Sequence, residues 1–310
     1  MYKVDINNLD FKKYNTFPKI LKFRSDNTPN EVALRDKDLG IWNETNWKDY
    51  NQKVSEIAIG LNSQGFRKGD VMALIGDNKP SWVFFEIAAQ ANGGMSLGIY
   101  RDTLDEEVSY LVKAANVKFA FAEDQEQVDK FINVQKKLKS KIKIFYEDGR
   151  GLRRLNDPNI IDMKNLIKEG KKVLEKNPEK YDKMINNIEG NLDAILCTTS
   201  GTTSNPKLAT LPANKFIKHI SNYLKVDPKS STDEYVSVLP YPWIMEQVYG
   251  VGFNLLSGMK VNFPENVDTA MDDLKEIGPT FMLGAPRLWE QISADMRARI
   301  LDSSKLTQWV

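Results

Sequence analysis

The stretch at residues 193–207 reads DAILCTTSGTTSNPK. Its first five residues are mostly apolar and predict a short buried strand, and the remainder carries hydroxyl side chains, one glycine and a terminal lysine. A phosphate chain needs backbone N–H donors, hydroxyl donors and a positive charge on a loop that curls around it. The sequence therefore predicts a phosphate-binding turn after a strand.

Two other interpretations of this loop, an ordinary turn and a Walker P-loop, are less favoured than a phosphate site of another spacing. Clusters of Ser, Thr, Asn and Pro are common in ordinary turns, but the order of strand, hydroxyl-rich loop and lysine favours a phosphate site. The spacing also departs from the Walker pattern, because no glycine stands at the required distance before a Gly-Lys-Ser/Thr unit. A P-loop kinase or GTPase is therefore disfavoured.

Short apolar strands alternate with amphipathic helices on both sides of this loop. A predicted hairpin over residues 32–47 precedes βα repeats that run to residue 146, and a second series runs from residue 193 to 300. This alternation predicts an α/β fold with mostly parallel sheets covered by helices. Ligands in such sheets bind beyond the carboxyl ends of the strands.

The charged segment over residues 147–190 divides the two series and is interpreted as a solvated connector. We therefore predict two lobes. The first, residues 1–190, contains the N-terminal hairpin and the connector. The second, residues 191–310, opens with the phosphate-binding loop and is expected to be incomplete.

Composition narrows the function classes. With 41% hydrophobic residues in a chain of 310, a folded protein is expected, and 43 basic against 42 acidic residues leave a net charge of +1. A general nucleic-acid binder would show a strong basic excess. Cys197 and His219, each the single residue of its type, cannot form a Cys/His zinc site. Without a signal peptide or an apolar run of membrane length, a cytoplasmic protein is predicted.

The loop resembles the signature Thr-Ser-Gly-Thr-Thr-Gly-x-Pro-Lys-Gly of the adenylate-forming enzymes, which residues 199–203 and 206–207 match. Residues 239–247 and 284–290 are similar to the Leu-Pro-x-x-Trp/His-x-x-Glu and Pro-Arg-x-Trp/Phe-Glu stretches of the long-chain fatty acyl-CoA synthetases. The resemblance covers residues 50–300. The chain is thus identified as resembling the N-terminal portion of an AMP-forming long-chain fatty acyl-CoA synthetase.

This resemblance implies that a fatty acid attacks ATP at the α-phosphorus, giving an acyl-adenylate and pyrophosphate, after which the thiol of coenzyme A displaces AMP. It implies that the triphosphate is bound by Thr199, Ser200, Gly201, Thr202, Thr203 and Lys207. The Thr202 hydroxyl is expected to reach Mg²⁺.

Three residues outside the loop were also singled out. Trp243 either lines the acyl tunnel or is an ordinary core tryptophan, two interpretations that the sequence leaves open. Glu246 and Arg287 are expected to support the site structurally, as an internal salt bridge or a helix cap, rather than to act as a catalytic pair. No catalytic residue is assigned, because in this family the catalytic lysine belongs to a C-terminal domain.

The sequence departs from the signature at Ser204 and Leu208, where the family has glycine. Leu208 is expected to add bulk near the phosphates. The family's later Tyr-Gly-x-Thr-Glu motif and its C-terminal lid domain are not found in residues 208–310. We therefore expect a fragment with impaired activity or no activity on its own. A non-catalytic nucleotide- or acyl-binding remnant, a split enzyme with a complementing C-terminal half, and peripheral contact with the inner face of the membrane stay open.

Overall fold

The computed structural model describes residues 9–199 and 206–303, and their strands form two sheets. In chain order the strands are β1 (Val32–Asp38), β2 (Ile41–Asn46), β3 (Val71–Ile75), β4 (Met95–Ile99), β5 (Phe119–Ala122), β6 (Lys143–Tyr146), β7 (Ile160–Asp162), β8 (Asp193–Thr199), β9 (Lys207–Pro212), β10 (Glu234–Val236) and β11 (Lys260–Phe263). The first sheet has the order β7-β6-β5-β3-β4-β8-β9 and the second has the order β10-β11-β1-β2.

Both sheets are mostly parallel, with one antiparallel edge strand each. In the first sheet β9 runs antiparallel to β8, and in the second β2 runs antiparallel to β1. All other pairs are parallel. The carboxyl ends of the parallel strands therefore share one edge in each sheet, which is where α/β proteins bind ligands.

The helices separate and cover these sheets. They are α1 (Phe17–Asn27), α2 (Trp47–Ser63), α3 (Pro80–Ala91), α4 (Asp105–Ala114), α5 (Gln125–Leu138), α6 (Met163–Lys176), α7 (Lys180–Asn186), α8 (Ala213–Val226), α9 (Ile244–Glu246), a π-helix (Gln247–Phe253), α10 (Asn254–Ser257), α11 (Ala270–Ile277) and α12 (Pro286–Leu301). Side chains that cap the first turn fix where some of these helices begin. Asn46 accepts a hydrogen bond from the Asp49 N–H at the start of α2, and Asp124 does the same for Gln127 in α5.

Alternation along β3 shows how the first sheet is buried on both faces. Met72 and Leu74 pack into one apolar cluster, and Val71, Ala73 and Ile75 pack into another. The second cluster is closed by α4 and α5. On the other face, α3 contacts β3 and β4 of the first sheet as well as β1 of the second. The central layer of helices therefore lies between the two sheets.

The α/β fold class is confirmed, but the sheets are not partitioned at the predicted lobe boundary of residue 190. Strands β8 and β9 extend the first sheet, whereas β1 and β2 from the N-terminal part complete the second. The reason is pairing between strands far apart in the chain. Leu34 lies opposite Val261, and Leu97 lies opposite Leu196. Such pairing leaves no signal in the local pattern.

The segment over residues 147–190 is also more than a solvated connector. Strand β7 adds to the edge of the first sheet, and α6 packs directly on α2. A Cβ on Gly170 would lie 1.8 Å from the Glu56 carbonyl oxygen, so the two helix backbones touch there. Leu166, Tyr181 and Ile185 are buried. Most lysines of this segment are exposed.

Two smaller differences concern strands. The βα pattern of the second series predicts a strand over residues 280–283, which in the structure is reduced to a single bridge between Tyr235 and Phe281. Strand β9 was not predicted from the sequence. None of the helices in the described parts of the chain is long and apolar enough to cross a bilayer.

Candidate active-site cleft

The predicted phosphate-binding loop connects two paired strands. Thr199 ends β8 and lies opposite Lys207, which begins β9. The Thr199 hydroxyl donates to the Lys207 carbonyl at 3.4 Å, and the Tyr110 hydroxyl donates to the Pro206 carbonyl at 3.0 Å. Because β8 is parallel to β4, the loop leaves the sheet at its carboxyl edge.

The predicted ligands Ser200, Gly201, Thr202 and Thr203, including the expected Mg²⁺ contact of Thr202, lie outside the described residues, as does Ser204. The structure therefore brings together Thr199 and Lys207 from the predicted triphosphate set. Their roles stay predictions.

The two residues that open β9 face opposite ways. Lys207 is exposed, whereas Leu208 is partly buried and packs against the apolar cluster closed by α4 and α5. Successive side chains of a strand point to opposite faces. The bulk of Leu208 is thus accommodated by the core, which answers the expectation that it would crowd the loop.

A cavity of about 460 Å³ lies where the carboxyl ends of the two sheets face each other. The first sheet contributes the residues that follow β3 and β4, and the second contributes those that follow β10 and β11. The lining consists of Gly76, Asp77, Asn78, Tyr100, Arg101, Asp102, Glu126, Ser237, Val238, Pro240, Pro242, Pro264, Glu265, Asn266, Val267 and Ala270.

The charged wall of this cavity is internally neutralised. Arg101 pairs with Asp77 and lies 3.8 Å from Asp124, and the hydrogen bond to Asp77 raises the pKa of Arg101. Behind it, Glu123 accepts from the Asp77 N–H at 2.6 Å and from Lys79 at 2.7 Å. With both cations paired to carboxylates, this wall offers no unpaired positive charge to a phosphate group.

Trp243 directly follows Pro242, which lines the cavity, and is not in the core. The Trp243 side chain is 37% exposed, and the Trp243 backbone N–H donates to the Pro240 carbonyl at 2.9 Å. The preceding Pro242 lies against β4, since a Cβ on Gly98 would be 2.8 Å from the Pro242 Cα. This exposure disfavours the core interpretation of Trp243. Its contact with an acyl chain stays a prediction.

Glu246 is fully buried three residues after Trp243. The hydroxyls of Tyr235 and Ser237 donate to its two carboxyl oxygens, at 2.6 and 2.5 Å. Burial raises the pKa of Glu246 to about 7, against the opposing effect of these hydrogen bonds. Arg287 lies elsewhere, exposed in the first turn of α12. Glu246 and Arg287 therefore do not form the salt bridge that was one of the structural roles expected for them.

A second buried carboxyl, that of Glu86 on α3, was not singled out from the sequence as a site residue. Gln247 donates to it at 3.1 Å and to the Tyr241 carbonyl at 3.0 Å. Burial raises the pKa of Glu86 to about 7. The available signal was its position: an acidic residue between Phe85 and Ile87 in an apolar helix needs a buried polar partner.

Gln247 begins a π-helix of seven residues, all of them buried. Such wide turns are rare and occur frequently at functional sites. Here the wide turn follows directly on the segment that carries Trp243.

The ends of a hydroxyl-rich segment lie at the carboxyl edge of a mostly parallel sheet, and the neighbouring strand β4 leads into a cleft formed with a second sheet. This is the arrangement of a ligand-binding α/β protein. The family model described as AMP-binding enzyme matches residues 21–308. The chain therefore belongs to the AMP-binding enzyme family, and the resemblance found in the sequence is confirmed.

Curated relatives include long-chain-fatty-acid–CoA ligases. The chain is 28% identical over 268 residues to ACSBG1 of Bos taurus, covering 84% of this chain and 36% of the relative. It is 24% identical over 299 residues to ACSBG2 of Rattus norvegicus, covering 94% and 44%. The chain thus spans well under half the length of these relatives.

Solved structures of related fold include the adenylation domain of a carboxylate reductase from Mycobacterium chelonae, with a TM-score of 0.77 at 15% identity over 93% of this chain and 48% of that one. A luciferase-like enzyme from the mealworm Zophobas morio gives a TM-score of 0.74 at 14% identity over 90% and 61%. At these identities the likeness establishes the fold.

Proposed function

We propose that this chain provides the phosphate-binding and acid-binding part of a long-chain-fatty-acid–CoA ligase. The observation that carries the proposal is the position of Thr199 and Lys207 at the two ends of a signature loop on the carboxyl edge of the first sheet. The names of the curated relatives support the reaction class. A neighbour of similar fold, from Legionella pneumophila, holds an acyl adenylate and pyrophosphate (TM-score 0.66, 14% identity).

In the proposed reaction a carboxylate oxygen of the fatty acid attacks the α-phosphorus of ATP. The bond from that phosphorus to the bridging oxygen breaks, and pyrophosphate leaves with the electron pair. The thiolate of coenzyme A then attacks the acyl carbonyl, and AMP leaves as the acyl C–O bond breaks. Mg²⁺, when bound, supplies charge neutralisation to the triphosphate, with the Thr202 hydroxyl as its proposed ligand.

The exposed ammonium of Lys207 is suited to the negative charge that develops on the departing pyrophosphate. The Thr199 hydroxyl is a further donor at the opposite end of the loop. The apolar wall formed by Pro240 and Pro242, with Trp243 beside it, is proposed to hold the acyl chain near the same edge. Burial of each methylene contributes roughly 0.8 kcal/mol.

The test is fatty-acid-dependent exchange of pyrophosphate into ATP, with Mg²⁺ and palmitate, by the whole chain and by Lys207→Ala. We expect exchange to fall by about a hundredfold in the variant, because one preorganised charge on the leaving group is lost. Lys215→Ala is the matched control, since Lys215 is exposed on α8. ATP binding without exchange in the unmodified chain would instead support a nucleotide-binding module. If the unmodified chain shows neither ATP binding nor pyrophosphate exchange, the proposal is refuted.

A further inference from the structure

Polar side chains join the two sheets beside the cavity. We call Asn78, Ser237, Glu246, Gln247 and Glu86 the polar clasp. Asn78 follows β3 of the first sheet, and Ser237 follows β10 of the second. The Asn78 side-chain amide donates to the Ser237 hydroxyl at 2.8 Å and to the Leu239 carbonyl at 2.6 Å. One side chain after β3 of the first sheet thus holds two residues, Ser237 and Leu239, of the segment that leaves the second.

The clasp continues into the helix that follows this segment. Ser237 donates onward to Glu246, while the neighbouring Gln247 donates to the Tyr241 carbonyl and to Glu86 on α3. Glu246 at the end of α9 and Gln247 at the start of the π-helix therefore bind Ser237 and Tyr241, two residues of the segment 237–243. That segment carries Pro240 and Pro242, which line the cavity, and Trp243.

Because most of the clasp residues are buried, breaking one of their hydrogen bonds is energetically costly. Ser237, Glu246, Gln247 and Glu86 are each at most 4% exposed. A buried polar group that loses its partner retains its full desolvation penalty, so each link is favoured strongly over its broken state. Asn78 and Ser237 also line the cavity. The clasp is therefore both a buried network and part of the cleft wall.

We propose that the polar clasp positions the acid-binding wall of the cleft, and that Asn78 is a positioning residue for the acid substrate. Asn78 fixes residues 237–243, and Trp243 with them, against the first sheet. Without this link residues 237–239 would lose their side-chain tie to the end of β3, and the wall would be held only by the contacts of Tyr241 and Pro242. The dependence on an acid substrate rests on the proposed function, whereas the restraint of residues 237–243 does not.

The test uses Asn78→Ala and Ser237→Ala in the full chain, with Asn43→Ala, an exposed asparagine on β2, as the matched control. Hydrogen exchange of the amides in residues 237–243 reads the restraint directly. We expect about tenfold or greater acceleration of exchange in each clasp variant, because each loses two of the hydrogen bonds described above. The effect of the double variant is expected to be smaller than the two single effects combined, because the two variants share the Asn78–Ser237 hydrogen bond. Circular dichroism checks that each variant is folded.

Dissociation constants for palmitate and for ATP separate positioning from general loosening. We expect palmitate to bind about tenfold more weakly to Asn78→Ala and ATP to bind within twofold of its original affinity. Unchanged exchange in residues 237–243 overturns the clasp. Faster exchange with unchanged palmitate affinity overturns its role toward the acid. If the unmodified chain binds no palmitate, the role of Asn78 toward the acid is overturned together with the acid-binding part of the proposed function, while faster exchange still supports the restraint.

Discussion

Helices α3 and α12 begin alike but have opposite surroundings. Each starts with a proline in its first turn, Pro80 and Pro286, and each carries a tryptophan and several aliphatic side chains. In α3 every residue from Ser81 to Ala91 is buried, whereas α12 has no buried residue. The difference arises from position, because α3 lies between the two sheets. Apolar content predicts a helix, but only tertiary contacts show what the helix is packed against.

The largest effect is expected from Phe85→Ala in α3. The Phe85 ring stacks on Phe121, with centroids 4.4 Å apart, and lies 5.8 Å from that of Phe145. Removing a fully buried phenyl ring leaves a cavity between the sheets and is expected to lower the free energy of unfolding by about 4 kcal/mol. Urea denaturation measures it. A loss below about 1 kcal/mol would contradict the central position of α3.

An intermediate effect is expected from Glu86→Gln, on the pH dependence of the free energy of unfolding. Because burial raises the pKa of Glu86 to about 7 in the folded chain, the folded state binds more protons than the unfolded state between pH 5 and 7. Stability from this group is therefore greatest at low pH and is lost as pH rises through 7. Between pH 5 and 8 the free energy of unfolding is expected to fall by on the order of 2 kcal/mol less in Glu86→Gln than in the unmodified chain.

The measurement for Glu86 is the free energy of unfolding at pH 5, 6, 7 and 8 for the unmodified chain and the variant. Glu290→Gln serves as the control, since Glu290 is exposed on α12 and should leave the slope unchanged. An equal slope in all three proteins would show that Glu86 is not the titrating group.

The smallest effects are expected on α12. Met296 is 61% exposed and Ile300 is 52% exposed, so replacing either by alanine removes little packing. Each change should alter the free energy of unfolding by no more than about 0.5 kcal/mol. A loss of about 2 kcal/mol for either would show that α12 is covered in solution, and its apolar face would then be an interface.

Much of the fold could be predicted from residues 32–146, where strand and helix periods are clear. The order of the strands could not. That β1 pairs with β11, or that β8 joins β4, depends on contacts between distant residues, so the lobe boundary at residue 190 did not divide the sheets. Strand β9 escaped prediction because it carries a hydroxyl, a lysine and Pro212 within six residues, a pattern typical of turns.

The site shows a similar division. The loop over residues 199–207 was found because hydroxyl side chains, a glycine and a lysine follow a strand directly in the sequence. The structure places the two ends of this loop at the carboxyl edge of the sheet. The polar clasp was not found, because its members come from α3, from the residues after β3 and β10, and from α9 and the π-helix, and they meet only after folding. For Glu246 the sequence suggested Arg287 as a partner, whereas the partners are the hydroxyls of Tyr235 and Ser237.

The pairing of β1 with β11 has a consequence for synthesis of the chain. Arg35 lies opposite Asn262, 227 positions later. At roughly 5–20 residues per second, a ribosome needs about 10 to 45 s to make the intervening chain. The hairpin of β1 and β2 therefore emerges long before its parallel neighbour exists and has an open edge during that interval. The second sheet closes late in translation, after most strands of the first have been made.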